Sequence, residues 1–364
     1  MSVFVITDHQ IDKSVQDCYD GRVSTTRVIS GGIHMISCTE FIPAYSELFK
    51  FIDKKSGRQA VYDYWNWLFQ PEKSPLNEHL ERAGIRGCWD YWTVIHIEEA
   101  CDNTQVFDEQ AGWHISCMHS CPSKGRFDKL GYMEPFDEYC KHCDGYEWSL
   151  KKHGLVQYND FRGDDHACCR TLIIDPKKFQ GNPMEMVEKM YQCEMNGCTA
   201  DTTGCPFATE NSIQQTTTSE GYKYLHPEFH VSMDRGSGFV LDTYGMEGLK
   251  EYLTQFTLAF HVPLLANIRE KGLTAIADYL RWLYDTEEAP DALELEQTDG
   301  ALSVKIKYCP AVKYMKSRGY TPNASYEYCS SMVYEALAEA GGLGFAMCSY
   351  DQETGAATYR FFEK

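Results

Sequence analysis

The residues best suited to chemistry lie in the run WHISCMHSCPS. Cys117, His119 and Cys121 alternate in a predicted strand, and a two-residue spacing places side chains on one face of a strand. Pro122 cannot continue the strand, so Cys121 is expected at its end. Because a thiol beside an imidazole can become a thiolate nucleophile, His119 and Cys121 are candidate catalytic residues. The alternative interpretation is that Cys-Pro only ends a buried strand.

A second candidate lies in the segment YCKHCD, which is predicted to be helical. Three- and four-residue spacings place Cys140, Cys143 and Asp144 on one face of an α-helix. Cys140 and Asp144 are assigned to catalysis. Cys143 is a candidate metal ligand together with His166 and Cys168, since a structural zinc site needs a second pair of ligands. An amphipathic helix with cysteines in the core is the alternative.

A third candidate is the run HPEFH. On a strand, His226, Glu228 and His230 would point the same way, and two imidazoles with a carboxylate suit a divalent metal such as zinc or manganese. A solvent-exposed edge strand would explain the same pattern. The sequence contains no P-loop and no dinucleotide-binding glycine pattern, so no nucleotide cofactor is expected.

The elements that must position these residues occur twice, because the first half of the chain matches the second half. In this repeat register Gly84 aligns with Gly272, and Cys121-Pro122 aligns with Cys309-Pro310. In each copy, predicted helices are followed by hairpins, which is typical of an α+β fold with an antiparallel sheet. We therefore expect two tandem related domains, residues 1–188 and 189–364, packed about a pseudo-two-fold axis.

The two copies differ in their reactive residues. After one inserted residue, Tyr139-Cys140 aligns with Tyr328-Cys329. The second copy then has Ser-Met-Val where the first has His142, Cys143 and Asp144. If folding needed this polar set, the second copy would need it also. The first copy is therefore predicted to be active and the second to be degenerate.

Composition narrows the class of partner. The formal charge is −19, from 34 Lys and Arg against 53 Asp and Glu, so nucleic acid and anionic membranes would be repelled. The 16 cysteines stand in a long chain that opens without a signal-peptide pattern, which favours reduced thiols in a cytoplasm, such as that of an anaerobic organism. A small-molecule substrate and a possible homodimer complete these expectations.

The Cys-Pro after a hairpin, the glycine that follows it, the Tyr-Cys pair and the terminal hairpin resemble the L-2-amino-thiazoline-4-carboxylic acid hydrolase family. The matching residues in the first copy are Cys121-Pro122, Gly131, Tyr139-Cys140 and Asp144. The resemblance implies hydrolytic opening of a small heterocycle, which converts an amino-thiazoline carboxylate to an N-carbamoyl amino acid. The second copy lacks the residue that matches Asp144.

Ring opening needs a nucleophile or a metal-bound water, a proton donor and groups that stabilise developing negative charge. Cys121 could attack or bind a metal, His119 could move the proton, and Asp144 could orient water. The predicted walls of the substrate pocket are Trp113, Tyr139, His142 and Trp148. A cyclic ketone or a lactam is an alternative substrate. The alternative class is a metal- or small-ligand-binding protein without catalysis.

Overall fold

A computed structural model describes residues 36–162, 169–200, 204–220 and 223–364. Within these ranges the chain is α+β, with 12 α-helices and two antiparallel sheets, one of five strands and one of four. The predicted fold class is confirmed, whereas the pseudo-two-fold packing stays a prediction. None of the described helices is both long enough and apolar enough to cross a membrane.

The described chain forms two compact units. The central unit comprises residues 49–226, and the flanking unit comprises residues 36–48 together with 227–364. This division differs from the predicted boundary at residue 188. Strand pairing explains the difference, because a strand at Ile213–Thr217 hydrogen-bonds to Asp102–Asp108 and keeps the chain beyond residue 188 in the central unit.

The central unit has its helices on both sides of one sheet. Helix α1 (Phe41–Ser56) contains residues of both units. In chain order the remaining elements are α2 (Arg58–Leu68), a 3₁₀ turn (Pro71–Lys73), α3 (Pro75–Ala83), α4 (Arg86–Glu98), β1 (Asp102–Asp108), β2 (Trp113–Ser120), α5 (Lys124–Leu130), a 3₁₀ helix (Tyr139–Tyr146), α6 (Glu147–Lys152), β3 (Val156–Asp160), β4 (Cys169–Ile174), α7 (Pro183–Met195) and β5 (Ile213–Thr217). The strand order is β3-β4-β2-β1-β5, and all described pairs are antiparallel.

Alternation along the strands gives this sheet two apolar faces. One face packs against α3, α4 and α6 through a core that includes Leu80, Ile95 and Leu150. The other packs against α7, with Ile115 and Met190 in its core. Even-numbered residues of β2 therefore face the α4 side, and odd-numbered residues face α7.

The flanking unit contains the second sheet. Its elements are a 3₁₀ turn (Cys38–Glu40), α8 (Phe229–Phe260), α9 (Val262–Lys271), α10 (Leu273–Thr286), a 3₁₀ turn (Pro290–Ala292), β6 (Leu293–Thr298), β7 (Ala301–Ile306), α11 (Pro310–Ser317), α12 (Tyr326–Gly341), β8 (Leu343–Tyr350) and β9 (Ala357–Glu363). The strand order is β6-β7-β9-β8, and α8 is kinked at Gly245, which has a φ of 71°.

The two units share backbone landmarks in the repeat register that aligns Gly84 with Gly272. Positive-φ positions recur in it as the pairs Gly57/Gly245, Gly84/Gly272, Ala100/Glu288, Gly112/Gly300, Gly131/Gly319 and Gly154/Gly342. Strand pairing follows the same register, since His114 pairs with Ile173 and Leu302 pairs with Phe361. Residues of β2, β3 and β4 can thus be compared one by one with residues of β7, β8 and β9.

Candidate functional site

A cavity lies in the central unit between the sheet and its α4 side. Strand β2 contributes His114 and Ser116, and α4 contributes His96. Four thiols also line it, those of Cys121, Cys140, Cys143 and Cys169. The apolar part of the wall consists of Leu76, Trp92, Met118, Tyr146, Leu150, Phe161 and Ile173. The two histidines are almost fully buried, whereas Cys121, Cys140 and Cys143 are half-buried. The imidazoles therefore form the deep end.

The 3₁₀ helix at Tyr139–Tyr146 decides which of its residues reach the cavity. A 3₁₀ helix has three residues per turn, so side chains three apart eclipse one another. Cys140, Cys143 and Tyr146 have this spacing, and all three line the cavity. Asp144 falls on another face, is exposed, and accepts a hydrogen bond of 2.8 Å from Asn159 Nδ2. The expected grouping of Asp144 with the two cysteines holds only for an α-helix and is wrong here.

A chain of hydrogen bonds fixes the tautomer of His114. Gln215 Nε2 donates to the backbone carbonyl of Thr93 at 3.2 Å, which leaves Gln215 Oε1 to accept from Gln105 Nε2 at 2.5 Å. Gln105 Oε1 then accepts from His114 Nε2 at 2.9 Å. His114 therefore carries its proton on Nε2. Its Nδ1 is a buried acceptor without a hydrogen-bond partner.

His96 carries its proton on the same ring nitrogen as His114, but in His96 this nitrogen is the one without a partner. Asn103 Nδ2 donates to His96 Nδ1 at 2.9 Å, so a neutral His96 carries its proton on Nε2. That Nε2 is buried and has no partner, and Gln157 Oε1 is a further unpartnered acceptor in the same wall. Three residues of the described lining thus carry an unpartnered buried atom, which is a donor in one and an acceptor in the other two.

Burial keeps both imidazoles neutral at pH 7. It lowers the pKa of His96 to about 3, because the charged form would lose its hydration. Burial likewise lowers the pKa of His114 to about 3, and the nearby His96 adds to this effect. Both side chains act as hydrogen-bonding groups in this state and not as cations.

Cys121 lies three residues before α5 begins at Lys124. The backbone N–H groups of Ser123 and Lys124 face its sulfur and favour the thiolate. Burial outweighs them and raises the pKa of the Cys121 thiol to about 11. Burial also raises the pKa of Cys140, Cys143 and Cys169. The thiols of the wall are therefore protonated at neutral pH.

Free thiols dominate the described part of the chain. Thirteen of its cysteines are free, as expected for reduced thiols. Cys348 is disulfide-bonded and is an exception to that expectation. Among the described residues that line the cavity there is no Lys, Arg, Asp or Glu. A charged ligand would therefore have no counter-ion in this wall.

The predicted pairing of His119 with Cys121 is not found. Strand β2 ends at Ser120, so Cys121 no longer follows the strand alternation and lines the cavity. His119 lies on the opposite face, where Nε2 is 3.1 Å from Thr104 Oγ1 and Nδ1 is 3.6 Å from Glu194 Oε1. Trp113 belongs to the core on that same face.

The other predicted pocket walls also lie outside the cavity lining. Tyr139 is buried and packs edge-on against the ring of His142 at 4.8 Å between centroids. His142 is further surrounded by Phe49 and Trp65, so it belongs to an aromatic cluster. Trp148 is 43% exposed. The aromatic rings that do line the cavity are those of Trp92, Tyr146 and Phe161.

The predicted metal ligands are separated. The segment HPEFH is not a strand. The chain turns at Pro227 and Glu228, and α8 begins at Phe229. His226 belongs to the central unit and its Nδ1 is 2.5 Å from Glu98 Oε2. His230 belongs to the flanking unit, and Glu228 stands at the N-cap of α8. His166 and Cys168 lie outside the described residues, and Cys143 lines the cavity.

Sequence reasoning missed His96, His114 and Gln157, although the repeat holds a signal for them. In the repeat register their counterparts are Tyr284, Leu302 and Phe345. Leu302 and Tyr284 are buried in the core of the flanking unit. At these three positions the first copy therefore has polar residues where the second copy has larger or apolar ones.

Comparison with models of known protein families, with curated proteins and with solved structures gave no match.

Proposed function

We propose that the central unit binds a small, uncharged ring compound in the cavity between β2 and α4. The observation that carries the proposal is a pair of neutral histidines, one of which leaves a donor and the other an acceptor without a partner. His96 offers an unpartnered N–H, and His114 offers an unpartnered ring nitrogen in the same wall. Leaving a buried polar atom without a partner costs about 1–3 kcal/mol, so a ligand that pairs with both recovers that free energy.

The complementary ligand carries an acceptor and a donor on neighbouring ring atoms. A lactam has this arrangement, since its C=O would accept from His96 and its N–H would donate to His114. Cyclic amidines, a class that includes the amino-thiazoline ring, also carry an acceptor next to a donor. The described residues of the lining include no cationic side chain, which favours an uncharged lactam over an amino-thiazoline that bears a carboxylate. The rings of Trp92 and Tyr146 suit a flat molecule.

We propose ring-opening hydrolysis as the reaction of this site, with non-catalytic binding as the alternative. The observation in favour is Cys121, whose sulfur lines the same cavity and receives two backbone N–H groups. The sulfur would attack the carbonyl carbon while the thiol proton passes directly to the ring nitrogen, and His96 would donate its N–H to the carbonyl oxygen. The ring C–N bond then breaks, and the nitrogen leaves as an amine that keeps its own proton and the proton from the thiol. Water cleaves the resulting thioester and restores the thiol, so one water is consumed.

A panel of ring compounds tests both parts. Calorimetry with the full chain should show saturable binding of δ-valerolactam and weaker binding of cyclohexanone, which lacks the donor, and of N-methyl-δ-valerolactam, in which the donor is blocked. Mass spectrometry in ¹⁸O-labelled water would detect opening of the ring by addition of one labelled water. Binding without a product supports the non-catalytic alternative. Equal affinity for all three compounds contradicts the proposed recognition.

The catalytic part depends on Cys121. The variant Cys121→Ser should abolish product formation and leave binding of δ-valerolactam within a few-fold of wild type. Cys193→Ser, which changes a half-buried thiol of the same unit outside the cavity lining, is the matched control and should retain activity. Cytoplasmic location and a homodimer remain predictions.

A further inference from the structure

A second cluster of reactive side chains lies in the flanking unit. Cys38 comes from the first 3₁₀ turn, His230 from the first turn of α8, and Glu287 from the C-cap of α10. One ligand atom from each residue lies within 4.8 Å of the other two. Cys38 is 0% exposed, His230 3% and Glu287 8%. Three kinds of ligand from distant parts of the sequence thus converge in a site almost closed to solvent.

The surroundings hold the carboxylate in place. Glu287 Oε1 accepts hydrogen bonds from Ser37 Oγ at 2.5 Å and from the backbone N–H of Cys38 at 2.7 Å. Glu287 Oε2 lies 3.0 Å from His230 Nε2. Ser37 itself is fixed by a reciprocal cap with Glu40. Such outer hydrogen bonds are what orient the ligands of protein metal sites.

We propose that Cys38, His230 and Glu287 bind a zinc ion. A thiolate and a carboxylate together carry two negative charges, which Zn²⁺ neutralises, and a neutral imidazole adds no charge. Zinc accepts sulfur, nitrogen and oxygen ligands in one tetrahedral site, and a water would complete the four. Binding releases the thiol proton of Cys38 to solvent.

The repeat shows that the fold does not require this set. In the repeat register, Cys38 corresponds to His226, His230 to Ile42 and Glu287 to Glu99. Only the carboxylate recurs. The corresponding positions therefore hold no cysteine, and their one histidine stands where the cluster has Cys38. The competing explanation is a buried His230–Glu287 ion pair that only supports the turn.

The test is metal binding by the full chain after removal of metal with a chelator. Zinc is titrated against a competing chelator of moderate affinity, and bound metal is counted by mass spectrometry. We expect one zinc per chain, weakened roughly 100-fold or more in Cys38→Ser and in His230→Ile. Cys329→Ser, a buried thiol of the same unit outside the cluster, is the matched control and should bind as wild type does.

Binding of Co²⁺ in place of zinc supplies a spectroscopic readout that a His230–Glu287 ion pair without metal would not give. The wild-type complex should show thiolate-to-cobalt charge-transfer absorption, and Cys38→Ser should lose it while its far-ultraviolet circular dichroism stays that of a folded chain. His230→Ile uses the residue present at the equivalent position and guards against loss of the fold. Absence of zinc binding by folded wild-type protein would overturn the proposal, and so would full binding with an unchanged charge-transfer band in both variants.

Discussion

The two sheets of this protein share the order and register of four strands, yet they differ on one face, which packs against α4 in the central unit and against α12 in the flanking unit. In the flanking unit that face is filled by mutually packed rings, those of Tyr334, Phe345, Tyr359 and Phe361. In the central unit Gln157, Thr171 and Ile173 occupy the positions of the last three of these, and they line a cavity.

This difference separates what the fold requires from what it tolerates. Strand β7 places Leu302 and Val304 in the core, where β2 has His114 and Ser116. The apolar version shows that the topology folds without the polar residues. Burying His114 and Ser116 in β2 lowers the free energy of unfolding, and hydrogen bonds to a bound ligand would offset that loss.

The largest expected effect comes from placing a histidine in the core of the flanking unit. Leu302→His should lower the free energy of unfolding by about 3–5 kcal/mol, since an unpaired imidazole would replace a fully buried side chain. Chemical denaturation of the variant beside wild type measures the loss. A cost below about 1 kcal/mol would show that this core accepts polar residues as readily as the central unit does.

Acid stability tests the buried, neutral state of His114. The folded pKa of His114 is about 3, against 6.5 for an ordinary histidine, so its contribution to stability is present above pH 6.5 and is lost as the pH falls toward 3. His114→Leu should therefore retain about 2 kcal/mol more of its pH 7 stability at pH 5 than wild type does. Denaturant titrations at both pH values provide the test. Parallel losses in the two proteins would contradict the neutral, buried state of His114.

The smallest expected difference between the two units is in the reactivity of their Cys-Pro thiols, Cys121 and Cys309. Cys121 is half-buried with a pKa raised to about 11, whereas Cys309 is 1% exposed and lies 3.2 Å from Tyr326 Oη. Alkylation of Cys121 by iodoacetamide should accelerate about tenfold per pH unit from pH 7 to 10, because only the thiolate reacts. Cys309 should stay unmodified in folded protein. A rate for Cys121 that levels off by pH 8 would indicate an activated thiolate instead.

Much of the architecture follows from local sequence. Short sequence segments determine several features of the backbone. These are the repeated glycines, the order of helices followed by hairpins, and the Cys-Pro at the end of β2. The same is true of Cys140 and Cys143, whose three-residue spacing brings them together in either kind of helix. These features were predictable because each depends on neighbours in the chain.

The remaining features depend on contacts that a segment does not encode. Whether the chain at residues 139–146 winds as an α-helix or a 3₁₀ helix decides the place of Asp144, and spacing alone favours the wrong answer. The end of β2 at Ser120 separates His119 from Cys121. His96 fits an ordinary amphipathic helix by sequence, and only its burial beside His114 makes it unusual.

Binding of δ-valerolactam to wild type and to His114→Leu, compared by titration calorimetry at pH 7, tests the central claim most directly. Leucine is the residue that the flanking sheet has at this position, so the variant is expected to fold. We predict saturable binding by wild type and an affinity at least about tenfold lower in the variant, because the acceptor that pairs with the lactam N–H is gone. Equal affinity in the two proteins, or no binding by wild type, would contradict the assignment of this cavity as the ligand site.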